Sequence, residues 1–247
     1  MLEVRNHEDI VQYCKGHNIK LRNFNELVKI AEDVTSCREL FIGCRSFNYP
    51  IKIPNGVKDC HNMFKYCESF NQPVEISDTV TDCENMFDGC TSFNQPITIP
   101  SSVTNCKFMF HCCSAFNQPI EIPTNVVSCH GMFCKCISFN QPITIPDGTE
   151  DCGYMFCECE SFNQSVHISE TVVNCDGMFS RCNSFNQPIK IPESVVSCSQ
   201  MFEECPKFNQ TIRLSPNVSE MHKIVSGDYE IEIIIKNDTK EENHERI

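Results

Sequence analysis

The chain has 247 residues, of which 40% are hydrophobic, and a formal net charge of −13 at pH 7. This length and composition are sufficient for a substantial core. The acidic balance and the lack of any basic run argue against a nucleic-acid backbone or an anionic membrane surface as the main partner. No stretch approaches the roughly 18 apolar residues that a membrane-spanning helix needs, so we expect no membrane insertion.

Residues 1–36 precede the regular part of the sequence, and we interpret them as a helical N-terminal cap. Apolar residues recur at helical spacing from His7 to His17 and from Asn23 to Val34, which predicts two short helices. A cap is needed because the first unit of a stack would otherwise expose its packing face. A docking or recruitment module is the functional alternative for this segment.

The first residues also bear on location. They carry charges where a signal peptide would need its apolar region. We therefore expect a protein that is cytoplasmic or virion-associated, with reduced cysteines.

A block of 23 residues then recurs eight times without insertion over residues 37–218. Each copy reads roughly Cys-x-x-Met-Phe-x-x-Cys-x-Ser-Phe-Asn-Gln-Pro-Ile-x-Ile-Pro-x-x-Val. The copies begin at Cys37, Cys60, Cys83, Cys106, Cys129, Cys152, Cys175 and Cys198. A strict period stacks equivalent side chains in columns, so the sequence predicts an α/β solenoid of eight coils.

The first half of each block places apolar residues at i, i+3, i+4 and i+7, which predicts a brief α or 3₁₀ segment on one face of the solenoid. We expect the phenylalanine columns that begin at Phe41 and Phe47 to stack along the core. The asparagine column that begins at Asn48 is expected to form an internal ladder that satisfies backbone groups of the turns.

The Ile-x-Ile-Pro segment of each block, first seen at Ile51 and Ile53, has the alternation of a short strand. The following proline cannot donate to a ladder and helps to end the strand. A parallel sheet of eight short strands on one face of the solenoid follows from the repeat.

Sixteen of the 20 cysteines occupy two columns, which begin at Cys37 and Cys44. A buried free cysteine behaves as a small hydrophobe, so these columns are consistent with reduced core ladders. The alternative is a set of disulfides between neighbouring coils, whose Cα atoms would be within bridging range. The missing export signal favours reduced thiols.

After the repeats, residues 219–236 are predicted to form a capping strand, because Tyr229 to Lys236 alternates and then becomes continuously apolar. Residues 237–247 are charged and are predicted to be a flexible tail.

Candidate binding residues are those that the repeat leaves free to vary. The outward strand column forms a polar stripe on the face that we expect to be concave, suited to a folded protein partner. It consists of Lys52, Glu75, Thr98, Glu121, Thr144, His167, Lys190 and Arg213. An ordinary solvated sheet face is the alternative.

Phe108 and Tyr154 share one slot on the other edge, and Tyr66 lies nearby in another copy. Such aromatics are either exposed interface anchors or side chains packed against neighbours.

Four cysteines lie outside the two columns. His111, Cys134 and Cys157 share one slot of three successive blocks, beside Cys112, and these residue types can ligate zinc. We do not expect four such groups to converge, because the ladder cysteines point inward while these point elsewhere. A Cys134 to Cys157 bridge or two exposed free thiols are the favoured alternatives.

The spacing of the block resembles the BspA-like leucine-rich repeats. The Met-Phe and Ser-Phe-Asn-Gln elements are closer to the surface-protein subclass of that group, and Phe-Asn-Gln-Pro-Ile with Ile-Pro is also similar to the FNIP repeats. The chain departs from the common pattern by moving one residue from the helical half into the turn, and by placing Cys where Ile is usual. The resemblance implies a right-handed leucine-rich solenoid that binds proteins or surfaces.

We therefore predict a non-enzymatic interaction protein without a cofactor, whose partner is a protein or a cell-surface receptor. No Ser/His/Asp order, phosphate loop or His-Glu-x-x-His motif is present. The alternative is a structural component or adhesin of a virion, a phage tail or a cell surface.

Overall fold

A computed structural model describes residues 1–226, 232–235 and 243–246 of the chain. Its regular elements are short. They are β1 (Leu2–Val4), α1 (His7–Gly16), a 3₁₀ turn (Leu21–Asn23), β2 (Val28–Ile30), β3 (Ile51–Lys52), β4 (Val74–Glu75), β5 (Ile143–Thr144), β6 (Val166–His167), β7 (Phe202–Glu203), β8 (Ile212–Leu214), β9 (Val225–Ser226), β10 (Glu232–Ile235) and β11 (Asn243–Arg246).

Helix α1 confirms the first predicted helix. Asn6 caps it: the Asn6 side chain accepts a hydrogen bond from the backbone N–H of Asp9, and the Asp9 carboxylate accepts one from that of Asn6. The helix buries Ile10 and Cys14 against the core.

The second predicted helix is wrong. Its residues form only the 3₁₀ turn and strand β2, which pairs in parallel with β1. Val28 and Ile30 are buried while Lys29 between them is exposed, so the segment follows the two-residue period of a strand.

Strand β2 belongs to a partial copy of the repeat that the sequence analysis missed. The ring of Phe24 stacks on that of Phe47 with centroids 6.0 Å apart, and the backbone N–H of Asn48 donates to Oδ1 of Asn25 at 3.0 Å. The phenylalanine and asparagine columns thus begin before Cys37, and this partial copy covers the face of the first full block.

The first half of each block is a series of turns, so the predicted α or 3₁₀ segment does not form in the described part of residues 37–226. Two residues per coil adopt left-handed backbone, as at Asn62 (φ 56°) and Tyr66 (φ 62°), which a helix does not allow. Local and inter-coil bonds alternate: Met63 N–H donates to the carbonyl of Cys60 at 3.0 Å, and Phe64 N–H donates to Met86 of the next coil at 2.9 Å. About half of the backbone N–H groups in this half of the block therefore donate to the next coil.

The predicted eight-strand sheet forms only in part. Strand β3 pairs with β4, β5 with β6, and β8 with β10, all in parallel. The residue before the first cysteine of each block forms the continuous inter-coil ladder instead. This ladder of parallel bridges runs through Ser36, Asp59, Asp82, Asn105, Ser128, Asp151, Asn174, Ser197 and Glu220.

The phenylalanine columns form the predicted core. Within one coil the rings of Phe41 and Phe47 are stacked with centroids 4.3 Å apart, and between coils the rings of Phe41 and Phe64 lie 5.4 Å apart and 3° from parallel. All three side chains are fully buried. Ring stacking thus continues from each coil to the next.

All 20 cysteines are free thiols in this structure. The second cysteine of each coil has a polar role as well as an apolar one: Sγ of Cys67 donates to the carbonyl of Phe41 at 3.1 Å, and the same contact recurs at Cys90 and Cys136. A disulfide at these positions would remove this donor.

At the C-terminal end, strand β10 lies within the predicted capping strand and pairs in parallel with β8. Strand β11 lies within the predicted flexible tail and pairs antiparallel with β10. Strand β9 also lies within the predicted capping segment and pairs in parallel with β7. Residues 227–231, 236–242 and 247 of the two predicted segments lie outside the described residues.

Candidate functional site

The outward strand column is accessible along its whole length. All eight of its predicted residues are exposed, while the residues before them on the strand segment are buried or half-buried. The alternation that the sequence predicts for the Ile-x-Ile segments is therefore present even where no regular strand forms, as at Thr98 and Glu121.

The charges of this column are unevenly distributed. Glu75 and Glu121 lie in a groove of about 980 Å³ that extends from Pro73 to Pro142. Lys190 and Arg213 line a second groove, of about 630 Å³. Nζ of Lys190 also lies 2.6 Å from Oε1 of Glu170, an exposed ion pair at the edge of the second groove. The strand face thus offers an acidic groove and a mixed groove in which Lys190 and Arg213 lie beside Glu170 and Glu193.

Two predicted aromatics lie on the turn edge, the side of the solenoid formed by the turns in the first half of each block. Both pack against the next coil. The ring of Phe108 lies over Gly131 and that of Tyr154 over Gly177, and both side chains are half-buried. The Tyr154 hydroxyl donates to Oε1 of Gln200, two coils away, at 3.3 Å. These contacts are the packing alternative that the sequence left open.

Tyr66 is the more exposed aromatic of this edge. Its side chain is 48% exposed, its ring lies over Gly89, and Nζ of Lys65 is 5.3 Å from the ring centroid. An exposed aromatic beside a cation is a typical interface anchor.

Lys65, Asp88 and His111 occupy one slot of three successive blocks and form a chain of polar contacts. Nζ of Lys65 lies 2.9 Å from Oδ2 of Asp88, whose side chain is only 5% exposed, and Nδ1 of His111 donates to Oδ1 of Asp88 at 2.7 Å. Nε2 of His111 lies 3.5 Å from Sγ of Cys112.

The contact with Asp88 changes how both partners titrate. The hydrogen bond to Asp88 raises the pKa of His111 to about 9, with a further contribution from Cys112. Burial alone would raise the pKa of Asp88, but the hydrogen bonds from His111 and Lys65 outweigh it and hold the pKa below its usual range. At neutral pH the pair is therefore a carboxylate and an imidazolium.

His111, Cys134 and Cys157, the candidate zinc ligands of the sequence analysis, do not form one group of ligand atoms within 4.8 Å among the described residues. Among the described residues, His111 groups with Asp88 and Cys112, whose potential ligand atoms lie within 4.8 Å of one another. Cys134 and Cys157 are 8% and 9% exposed, so the prediction of two exposed thiols is wrong. They contact each other, and the hydrogen bond to Cys157, together with burial, raises the pKa of Cys134.

The described residues contain a second group of possible ligands. Possible ligand atoms of His61, Asp82 and Glu84 also lie within 4.8 Å of one another. The side-chain amide of Asn105 donates to Asp82 at 3.1 Å and to Glu84 at 2.9 Å. This amide already gives both carboxylates a hydrogen-bond donor, which lessens their need for a cation.

The sequence analysis placed Cys112 beside His111 but missed Lys65 and Asp88 as its partners. A signal was available, because Lys65 and Asp88 occupy the same slot as His111 in the two preceding blocks. Reading each variable slot as a column, rather than searching for cysteine and histidine alone, would have found them.

Comparison with known proteins places the chain in a family. The family model described as "Mycoplasma protein of unknown function, DUF285" matches residues 5–121, 77–149, 99–189 and 148–233. The chain belongs to this family. No curated protein shows significant sequence similarity to the chain.

Solved structures resemble the chain in fold. A leucine-rich repeat protein from Bacteroides ovatus matches with a TM-score of 0.51 and 17% identity, over 85% of this chain and 68% of that protein. A leucine-rich cell surface protein from Faecalibacterium prausnitzii matches with a TM-score of 0.48 and 18% identity, over 86% of this chain and 73% of that protein. The family match and the Bacteroides structure confirm the predicted resemblance to BspA-like leucine-rich repeats as a likeness of fold.

No helix in the described part of the chain has the length and apolar character that crossing a bilayer requires.

Proposed function

We propose that this leucine-rich-repeat protein acts without catalysis, by binding another protein or a surface through its strand face and its turn edge. The observation that carries the proposal is the exposure of all eight variable strand residues beside two grooves, while the repeated residues around them are committed to the core. Residues that contribute little to packing are available for recognition.

The charge distribution favours a folded partner with both signs of charge. The groove around Glu75 and Glu121 suits cationic side chains, and the groove around Lys190 and Arg213, which also holds Glu170 and Glu193, suits side chains of both charges. Complementary charges of this kind set orientation and speed association more than they add affinity. The exposed ring of Tyr66 on the turn edge supplies an apolar anchor beyond the grooves.

The test is purification from the native source of the wild type and of the double variant Lys190→Glu/Arg213→Glu, followed by analysis of the bound proteins. The matched control is Lys58→Glu/Lys207→Glu, which makes the same charge change at exposed residues outside the strand column. We expect the partner to be lost from the first variant and retained by the control. Equal retention by both variants would contradict a role for this face.

Sedimentation of the wild type addresses the structural alternative. A binding protein is expected to remain soluble as a discrete species, whereas a structural component would assemble into large particles. Assembly that is insensitive to both charge variants would argue against the proposal.

A further inference from the structure

Asp88, His111 and Cys112 have the arrangement of an activated thiol. The Asp88 carboxylate fixes one nitrogen of the His111 imidazole at 2.7 Å, and the other nitrogen lies 3.5 Å from the Cys112 sulfur. A nucleophile near a base that is itself oriented by a third group is the arrangement that activates cysteine and serine nucleophiles. It is built here from two neighbouring coils, whose register is fixed by the continuous inter-coil hydrogen bonds.

The surrounding charges favour an anion at the sulfur. The Lys65 ammonium and the His111 imidazolium face the single carboxylate of Asp88, so these three groups carry one net positive charge. Beyond them, the Cys134 thiol follows His111 in its column, and Lys135 follows Cys112 in its own. The rings of Phe108 and His111 pack edge to face, with centroids 5.6 Å apart.

A metal site is the competing explanation for the same three residues. Zinc needs carboxylate and imidazole atoms that are free to point at the ion. Here Oδ1 of Asp88 accepts from His111 and Oδ2 lies 2.9 Å from the Lys65 ammonium, so both oxygens are already occupied. The geometry favours a hydrogen-bonded chain from Asp88 through His111 to Cys112 over coordination of a metal ion.

Cys112 is also the accessible thiol of the molecule. The other nineteen cysteines are buried, and Cys112 alone is half-buried. The neighbouring residue in its column is Gly89, which has no side chain to cover the sulfur, and beyond it lies the exposed Tyr66.

We propose that Cys112 is a thiol-modification site that forms a mixed disulfide with small disulfides, with the His111 imidazolium facing the thiolate and Asp88 as the residue that positions the imidazole. The Cys112 thiol gives its proton to water, and the thiolate beside the imidazolium attacks one sulfur of the disulfide R–S–S–R. The S–S bond of the reagent breaks, the Cys112–S–S–R bond forms, and the leaving thiolate takes a proton from water as R–SH. One disulfide is consumed and one is formed, so no further oxidant is needed.

The experiment treats the full-length protein with glutathione disulfide and follows the modified protein by intact mass and peptide mapping. We expect one glutathione per chain, at Cys112, released by excess dithiothreitol. Cys112→Ser should abolish this addition, and His111→Asn or Asp88→Asn should slow it by about tenfold or more. His130→Asn is the matched control, because Nδ1 of His130 contacts Oδ1 of Asp151 in the same way, at 3.3 Å.

A measurement on the wild type alone removes the dependence on variants that fail to fold. In the folded wild type we expect the addition at Cys112 alone, because the other nineteen cysteines are buried, and faster than disulfide exchange of free glutathione under the same conditions. A rate no higher than that of free glutathione, or modification spread over several cysteines, would overturn the proposal.

The same rates measured with added zinc or with a chelator separate the two explanations. If stoichiometric zinc protected Cys112 from glutathione addition, the three residues would bind metal, and the proposed hydrogen-bonded chain would be contradicted. Loss of the partner in the charge-reversal test leaves these rates unchanged, so the two proposals fail separately.

Discussion

The ring of Phe108 lies so close to Gly131 of the following coil that a Cβ atom on Gly131 would be 2.2 Å from Cε1 of the ring. Tyr154 and Gly177 repeat this relationship, with 2.4 Å between the corresponding atoms. Aromatic residues and glycines thus alternate in one column, and each ring occupies the space that the next side chain would need. The glycine is required here because of its neighbour, since other side chains adopt the same left-handed backbone in this column.

Gly131→Ala is expected to lower the free energy of unfolding by about 2–3 kcal/mol, because the new methyl group displaces a packed ring. Gly43→Ala is the matched control: Gly43 has φ +73° but no atom within 4 Å of the added Cβ, so it should cost only about 1 kcal/mol for the backbone. Urea denaturation measures both. The double variant Phe108→Ala/Gly131→Ala should show no further loss from the methyl group, and a fully additive loss would contradict the proposed clash.

Asn117→Ala is expected to lower the free energy of unfolding by about 1–3 kcal/mol. Oδ1 of Asn117 accepts from the backbone N–H of Asn140 at 2.9 Å and from Nε2 of Gln141 at 3.2 Å, and both donors lose this acceptor in the variant. Asn117→Asp keeps an oxygen at this position and should cost less. Asn209→Ala is the control at the exposed end of the ladder. A urea midpoint of Asn209→Ala as low as that of Asn117→Ala would argue against a role for the ladder.

The protein is expected to unfold in alkali, between about pH 9 and 10. Burial raises the pKa of thiols such as Cys106 to about 12, whereas an unfolded cysteine ionises near pH 8.5. Because the folded pKa is the higher one, the stabilisation is complete below about pH 8.5 and is lost as the pH rises above that value. Each buried thiol contributes a loss of about 1.4 kcal/mol per pH unit.

Circular dichroism under reducing conditions follows this transition. Replacement of a ladder cysteine by valine, as in Cys90→Val, removes one ionising thiol. Between pH 7 and pH 10 this variant should therefore lose less free energy of unfolding than the wild type. A wild type that stays folded well above pH 10.5 would contradict the role of the buried thiols.

Asp88→Asn is expected to return the pKa of His111 from about 9 toward its ordinary value near 6.5. The folded pKa of His111 is raised, so its contribution to stability is complete below about pH 6.5 and is lost as the pH rises through about 9. NMR titration of the imidazole in the wild type and the variant measures the shift directly. An unchanged pKa in the variant would show that Asp88 is not its cause.

The core could be predicted because a strict period gives equivalent residues equivalent environments. Phe41, Phe64 and their counterparts had to stack wherever the chain turned. The local conformation was predicted less well. Consecutive turns and a short helix both place residues i, i+3, i+4 and i+7 on one side, and the left-handed residues that distinguish them, such as Glu39 and Phe108, are not glycines.

The strand pairing and the site depend on geometry that the repeat does not encode. Ile97 and Ile120 carry the same motif as Ile51 and Ile143, yet only the latter two lie in paired strands. Likewise, the sequence places Asp88 and His111 in one slot, but their contact depends on how each side chain turns along the column. The outward strand column was predictable in exposure, and its use in binding stays a prediction.

The asparagine ladder gives the molecule a direction. Each asparagine accepts hydrogen bonds from the coil that follows it, beginning with Asn25 and ending at Asn186, which receives those of Asn209 and Gln210. A coil therefore emerges during synthesis onto a finished surface that already presents the asparagine acceptors, while its own turn N–H groups, such as that of Phe64, gain their acceptors when the next coil is added. Folding that proceeds from the N-terminus, one coil at a time, would keep the growing chain ordered throughout its elongation.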